Sequence, residues 1–265
     1  MQSLSTDKWY RAILQRHSRR QFNGRKLPKE LINGLSQFSD YIGAQIPGAR
    51  AVVVTENPEK VFKGAVGSYG KVKGAPAYVA FIGDMSDPHI YEKVGYLGEY
   101  FILEATAQDI GTCWIGGFFK PDVVQEQIQV TDKEQVLAVS PLGFVNKEPS
   151  LEEKLLSGLA KSHKRKPLDS LILTHAQEPL AGWVSSGLEA ARLAPSAVNR
   201  QPWRFSIEDN SVKILIDDNR NTFHIPKRLD CGIAMAHLEI AAKHYGVQGQ
   251  WEYLENPEVA RFTAV

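Results

Sequence analysis

The chain alternates stretches of helical and strand periodicity. Residues 7–16 place Trp9, Ile13 and Leu14 on one side of a helix, with Asp7 near its start. Pro28 opens a second helix, whose apolar stripe is Leu31, Ile32 and Leu35. Pro47-Gly48 breaks the pattern, and the β-branched run Ala51-Val52-Val53-Val54 reads as a strand. A second strand is expected over 75–82, with Pro76 at its beginning, where a missing N–H is tolerated. Residues 91–110 form a long helical stretch ended by Gly111 in the C′ position. Pro121 starts a short helix, 136–144 reads as a strand, and 151–166 is charged and partly helical. Farther on, 182–193 is a helix, and 203–208 and 212–217 alternate as a hairpin around Asp209-Asn210. Asp230 is read as the cap of a helix running to Tyr245, ended by Gly246, and 250–254 is the last expected strand. Strands and long helices without regular alternation predict an α+β fold rather than a doubly wound sheet.

A weak internal repeat runs through this pattern. Leu103-Glu104-Ala105-Thr106-Ala107-Gln108-Asp109-Ile110-Gly111 resembles Leu238-Glu239-Ile240-Ala241-Ala242-Lys243-His244-Tyr245-Gly246. Leu, Ala and Glu are common in any helix, so the pattern alone leaves duplication and coincidence both open. Duplicated halves can mimic a two-fold dimer and share its buried interface.

Composition narrows the function classes. The 265 residues are 43% hydrophobic, with 31 Lys and Arg against 30 Asp and Glu. A net charge of +1 argues against a nucleic-acid binder, and no apolar run approaches the ~20 residues needed to span a bilayer. The N-terminus lacks the apolar core of a signal peptide, so a cytoplasmic protein without membrane partners is expected. Cys113 and Cys231 form neither a C-x-x-C pair nor a metal cluster. His237 and His244 lie on one helix without a third ligand, so no metal is expected. A G-x-G-x-x-G turn, a P-loop and a G-x-S-x-G elbow are all missing.

Five segments could carry chemistry. Arg16-His17-Ser18-Arg19-Arg20 gathers guanidiniums, an imidazole and a hydroxyl, groups that suit phosphate oxygens; it also reads as a solvated basic turn. Ala194-Pro195-Ser196-Ala197-Val198-Asn199-Arg200-Gln201-Pro202-Trp203 is a stiffened loop of fixed amides and hydroxyls, or a connector capping its own backbone. Gly111-Thr112-Cys113-Trp114-Ile115-Gly116-Gly117-Phe118 lets backbone approach a flat ligand, or is a plain turn. Lys161-Ser162-His163-Lys164-Arg165-Lys166 could complete a phosphate pocket or lie solvated, and Gly67-Ser68-Tyr69-Gly70-Lys71 could bracket a polar ring edge or simply turn.

Together these segments resemble the nitroreductase flavoprotein family. Arg16-His17-Ser18-Arg19-Arg20-Gln21-Phe22 is similar to its R-x-S-x-R/K-x-F motif, and the 194–203 segment to its A-P-S-x-x-N-x-Q-P-W motif. Gly111-Thr112-Cys113-Trp114-Ile115-Gly116-Gly117 resembles the segment after the family's central helix, and Arg165-Lys166-Pro167-Leu168 its late basic segment. The order differs from the ordinary family, in which the Pro-Ser motif follows the basic motif by about thirty residues. Here that position carries Ile42-Gly43-Ala44-Gln45-Ile46-Pro47, and the Pro-Ser motif stands in the second half, which lacks a basic motif of its own. The chain thus resembles a fused, single-site subgroup of thermophile and clostridial type.

That resemblance implies a nitroreductase-like fold: a central, mixed but mainly antiparallel sheet flanked by helices, duplicated into a pseudo-dimer. Residues 1–172 would be the first half and 173–265 the shorter second half, intertwined as one monomeric unit. One FMN would lie between them. Arg16, Ser18 and Arg20 would hold phosphate and ribityl, with His17 adding contacts, and Arg165 with His163 or Lys166 would complete the phosphate charge. Ser68, Tyr69 and Lys71 would lie at the pyrimidine edge. Ile115, Gly116 and Gly117 would lie near N5, and Pro195, Ser196, Ala197, Asn199 and Gln201 would reach in from the second half. NAD(P)H would be the transient electron donor, and nitroaromatics, quinones or similar molecules the acceptors, in ping-pong turnover. No side chain is assigned as a catalytic acid or base. A flavin- or nucleotide-binding sensor or carrier without turnover is the other reading.

Overall fold

A computed structural model describes residues 2–62, 71–146, 164–174, 180–220 and 225–265. The helices are α1 (Gln2–Gln15), α2 (Lys29–Gly43), α3 (Pro58–Phe62), α4 (Ile90–Ala107), α5 (Pro121–Gln127), α6 (Gly182–Leu193) and α7 (Lys227–His244). The strands are β1 (Ala49–Val54), β2 (Ala77–Asp84), β3 (Glu134–Leu142), β4 (Ile172–Thr174), β5 (Trp203–Glu208), β6 (Ser211–Ile216), β7 (Gly249–Tyr253) and β8 (Glu258–Ala264).

The α+β class expected from the sequence holds, with the strands shared between two sheets rather than gathered in one. The first sheet is antiparallel, in the order β1-β2-β3, and the second runs β4-β5-β6-β8-β7 with only β4 and β5 parallel. α4 covers the first sheet, α7 covers the second, and the two helices pack against each other between them. α1 lies across α4 and α7, and α6 packs on α7. β2 is buried on both faces, as its unbroken run of apolar residues requires. Val79 and Phe81 enter the main core, whereas Tyr78, Ala80 and Ile82 join a smaller one with α3 and α5.

α4 and α7 are buried nearly all round, which a central helix needs and a surface helix does not. Their backbones approach closely because each offers a glycine at the crossing. A Cβ on Gly95 would overlap the Leu229 carbonyl oxygen, and one on Gly232 would overlap the Glu92 carbonyl oxygen. Their buried charges are all partnered. Glu92 receives Arg228, Glu104 receives Lys8 and the Trp9 indole, and Glu239 receives Tyr96, Trp251 and Lys243.

Four local readings change. Leu14 is 61% exposed, because α1 buries Ala12 and Ile13 instead. α4 ends at Ala107, and the reversal uses Asp109 at φ 59° rather than Gly111; α7 by contrast does end with Gly246 at φ 79°. β8 lies beyond the last expected strand, between β6 and β7. Asp230 is not a cap, since α7 begins at Lys227 after Pro226. The expected helical stretch over 151–166 falls mostly outside the described residues.

Candidate functional site

One cavity collects residues from four of the five segments singled out above. Its lining includes Arg16, Ser18, Arg20, Ile115, Gly116, Gly117, Arg165, Pro195, Ser196, Ala197 and Asn199. Val72, Trp114, Phe118, Ala138, Val198, Ile225, Leu229, Asp230 and Ile233 complete it, most of them apolar. Four candidates do not line it. His17 and Lys71 are exposed, Lys166 donates its Nζ to the Gln201 carbonyl at 3.1 Å, and Gln201 is buried behind the loop. Ser68, Tyr69 and His163 lie outside the described residues.

The basic segment leaves α1 as an extended stretch and is pinned on both sides. Arg19 N–H donates to the Thr112 carbonyl at 2.7 Å, and Arg20 and Phe22 exchange backbone bonds with Lys73 at 2.9 Å. This pinning turns Arg16 inward. Its side chain is 6% exposed, its Nε stands 4.0 Å from Glu99, and its Nη1 meets no hydrogen-bond partner among the described residues. An arginine nitrogen buried without a partner is costly unless an anion fills the place.

Glu99 fixes the wall beside it. One carboxylate oxygen accepts the Trp114 indole N–H at 2.7 Å, and the other lies 2.8 Å from His237 Nε2. His237 Nδ1 faces the Ala190 carbonyl at 2.9 Å, so the ring serves the core rather than a metal. Trp114 stacks on Phe81 at 4.5 Å and presents its remaining surface to the cavity. A Cβ on Gly98 would strike this indole.

Arg165 comes from the segment that leads into β4. It donates to Asn199 Oδ1 at 3.2 Å and to the Leu193 carbonyl at 3.1 Å. Burial first, and the charge of Arg16 second, bring its guanidinium down to about 10. Burial and the neighbouring Arg204 likewise lower the Lys166 ammonium.

The loop opposite carries Ala197–Asn199 as a 3-10 turn. Val198, Asn199 and Gln201 have φ of 50°, 55° and 49°, and a β-branched residue there is a true outlier costing about 1–3 kcal/mol. Gln201 N–H donates to Ser196 Oγ at 2.9 Å, and Gln201 Oε1 accepts the Lys166 N–H at 2.8 Å. Gln201 therefore shapes the loop from behind.

Trp114, Phe118 and Val198 belong to segments already marked by their glycines and prolines. Ile225, Leu229, Asp230 and Ile233 are brought in by α7 and the residues before it. The one local signal for Asp230 was a carboxylate among apolar helix positions, which reads equally well as a cap.

Known proteins resemble this chain in sequence and in fold. A “Putative NAD(P)H nitroreductase acg” of Mycobacterium tuberculosis is 33% identical over 79 residues, 28% of this chain. The match spans about a quarter, 24%, of that relative's own length. A crystal structure of a “putative nitroreductase” from Thermotoga maritima superposes with a TM-score of 0.64 at 19% identity. It covers 96% of this chain and 93% of its own. An “FMN-dependent Nitroreductase” of Clostridium difficile aligns more loosely, with a TM-score of 0.44, 18% identity, and 52% of this chain against 88% of that one. A family model described as “Putative TM nitroreductase” matches residues 8–242, and the chain belongs to that nitroreductase family.

Proposed function

We propose that the chain is an FMN-dependent oxidoreductase that takes electrons from NAD(P)H and passes them to nitroaromatic, quinone or similar acceptors. One FMN would occupy the cavity, between a first half over 1–172 and a second over 173–265, and the monomer would be a complete unit. The observation that carries this reading is the buried Arg16 with its unpartnered Nη1, facing the same cavity as Arg20 and Arg165. Three arginines and a mostly apolar remainder of the lining fit a phosphate joined to a flat ring.

Arg16, Arg20, Arg165 and Ser18 would bind the phosphate and ribityl oxygens. Gly116 and Gly117, having no side chains, would let backbone approach the ring. Trp114, Leu229 and Ile233 would exclude water from it, which strengthens every charge interaction inside. Bound FMN would supply hydride transfer between donor and acceptor, and the protein would supply orientation and positive charge.

The test is the visible spectrum of the purified protein, then anaerobic addition of NADH or NADPH. About one FMN per chain that bleaches on reduction supports the proposal. Two FMN per chain would remove the single-site element. Bound flavin that resists both reductants would favour a sensor or carrier, and no flavin after reconstitution would overturn the assignment.

A further inference from the structure

The rim loop over 196–201 is held in a conformation it would not adopt alone, with three residues other than glycine at positive φ. Bonds from Gln201 to Ser196 Oγ and to the Asn199 carbonyl close the loop on itself. Bonds to Lys164, Arg165 and Lys166 join it to another segment of the rim. Asp230 on α7 ties it to the helical core. One oxygen accepts the Ala197 N–H at 3.0 Å and the other accepts Arg200 Nε at 2.7 Å. Arg200 also donates Nη2 to the Ile225 carbonyl at 2.9 Å, just before the start of α7.

Asp230 is 1% exposed. Burial pushes its carboxyl up to about 6 even though Arg200 and Lys227 pull the other way. A buried ion pair adds little net stability against well-packed apolar residues, so stability does not explain why a carboxylate stands here. Its geometry does.

We propose that Asp230 is a positioning residue: paired with Arg200, it clamps the strained 196–201 loop to α7 and to Ile225, and so holds Asn199 where it orients Arg165 in the cavity. The clamp stands on the contacts above; its consequence for cofactor binding rests on the proposed function.

The experiment uses the full chain with Asp230→Asn or Arg200→Gln. Hydrogen–deuterium exchange of the unliganded proteins reads the loop directly, and FMN titration between pH 5 and 8 reads the site. Exchange over 196–201 is expected to rise about tenfold or more in each variant, with peptides from α4 and β6 unchanged. The FMN dissociation constant is expected to rise at least tenfold at pH 7.5. It should also steepen below about pH 6 in the wild type more than in Asp230→Asn. The phosphate of FMN titrates in the same range, so the difference between the two profiles carries this readout. The groups that act on Asp230 are Arg200 on the loop and Lys227 and Cys231 on its own helix, and Arg16, Arg20 and Arg165 line the same cavity.

Folded variants with wild-type loop exchange would overturn the clamp, as would identical pH profiles. If Asp230→Asn fails to fold, Arg200→Gln decides by the same readouts; global unfolding of both would make Asp230 a stability element and also overturn it. If the wild type binds no FMN while the variants exchange faster, the clamp stands and the cofactor assignment falls.

Discussion

Arg16 and Arg165, 149 positions apart in the sequence, face one cavity closely enough for the first charge to depress the second. Two like charges held near each other inside a protein disfavour one another, and under the proposed function the FMN phosphate would offset that repulsion.

Replacing either one should therefore weaken anion binding while sparing the fold. Arg165→Gln is expected to raise the FMN dissociation constant about 10- to 100-fold, the value of one or two charged hydrogen bonds. Fluorescence titration measures it. The wild-type affinity should also fall with added salt, and the variant's more shallowly.

Trp114→Phe keeps most of the apolar wall and removes the indole donor to Glu99. The carboxylate would then keep His237 but lose a bond made in a fully buried place. Stability should drop by about 1–3 kcal/mol, read as a lower denaturant midpoint with an unchanged slope.

The pair of Arg50 and Glu134 sets an acid dependence. Hydrogen bonding from Arg50 holds the Glu134 carboxyl down at about 2. A carboxyl lowered on folding stabilises the folded state above its unfolded value near 4.5, and that contribution disappears as pH falls towards 2. Glu134→Gln should cost on the order of 1 kcal/mol at pH 7 and roughly a quarter of that at pH 2.5, measured by unfolding at both.

The crossing of α4 and α7 gives a steric prediction. Gly95→Ala would drive a methyl into the Leu229 backbone, which cannot swing aside as a side chain can. A loss of about 1–3 kcal/mol is expected, together with weaker FMN binding, because Leu229 lines the cavity. Gly34→Ala, where a Cβ meets nothing within 4 Å, is the control and should be neutral or slightly stabilising.

Local pattern made much of this legible. α6 begins and ends where the sequence placed it, and the β5–β6 hairpin turns at Asp209-Asn210 as its alternation implied. β8 lay beyond the last expected strand because its alternation is broken: Val259 and Ala260 are both buried, where the register against β6 shifts. The Gly111 reading failed because Asp109 took the positive φ two residues sooner, freeing Gly111 to pair with Gly143. In the site, the arginines and the Pro-Ser loop announced themselves through unusual local composition. Ile225, Leu229 and Ile233 could not, since an apolar residue on a buried helix looks the same whether it faces core or cavity. Asp230 shows the ambiguity most plainly: a carboxylate in the first turn of a helix can serve its own backbone or, as here, a distant loop.

The two glycines at the crossing also bear on traffic. With Gly95 against Leu229 and Gly232 against Glu92, backbone meets backbone, and there is no cushion of side chains along which the central helices could slide apart. The floor of the cavity, Leu229 and Ile233, is thus as stiff as the core itself. Under the proposed function, donor and acceptor would be accommodated away from that floor, beside Phe118, a lining side chain that is 39% exposed. Divergence in what such a protein accepts should accordingly be written there while the floor stays constant.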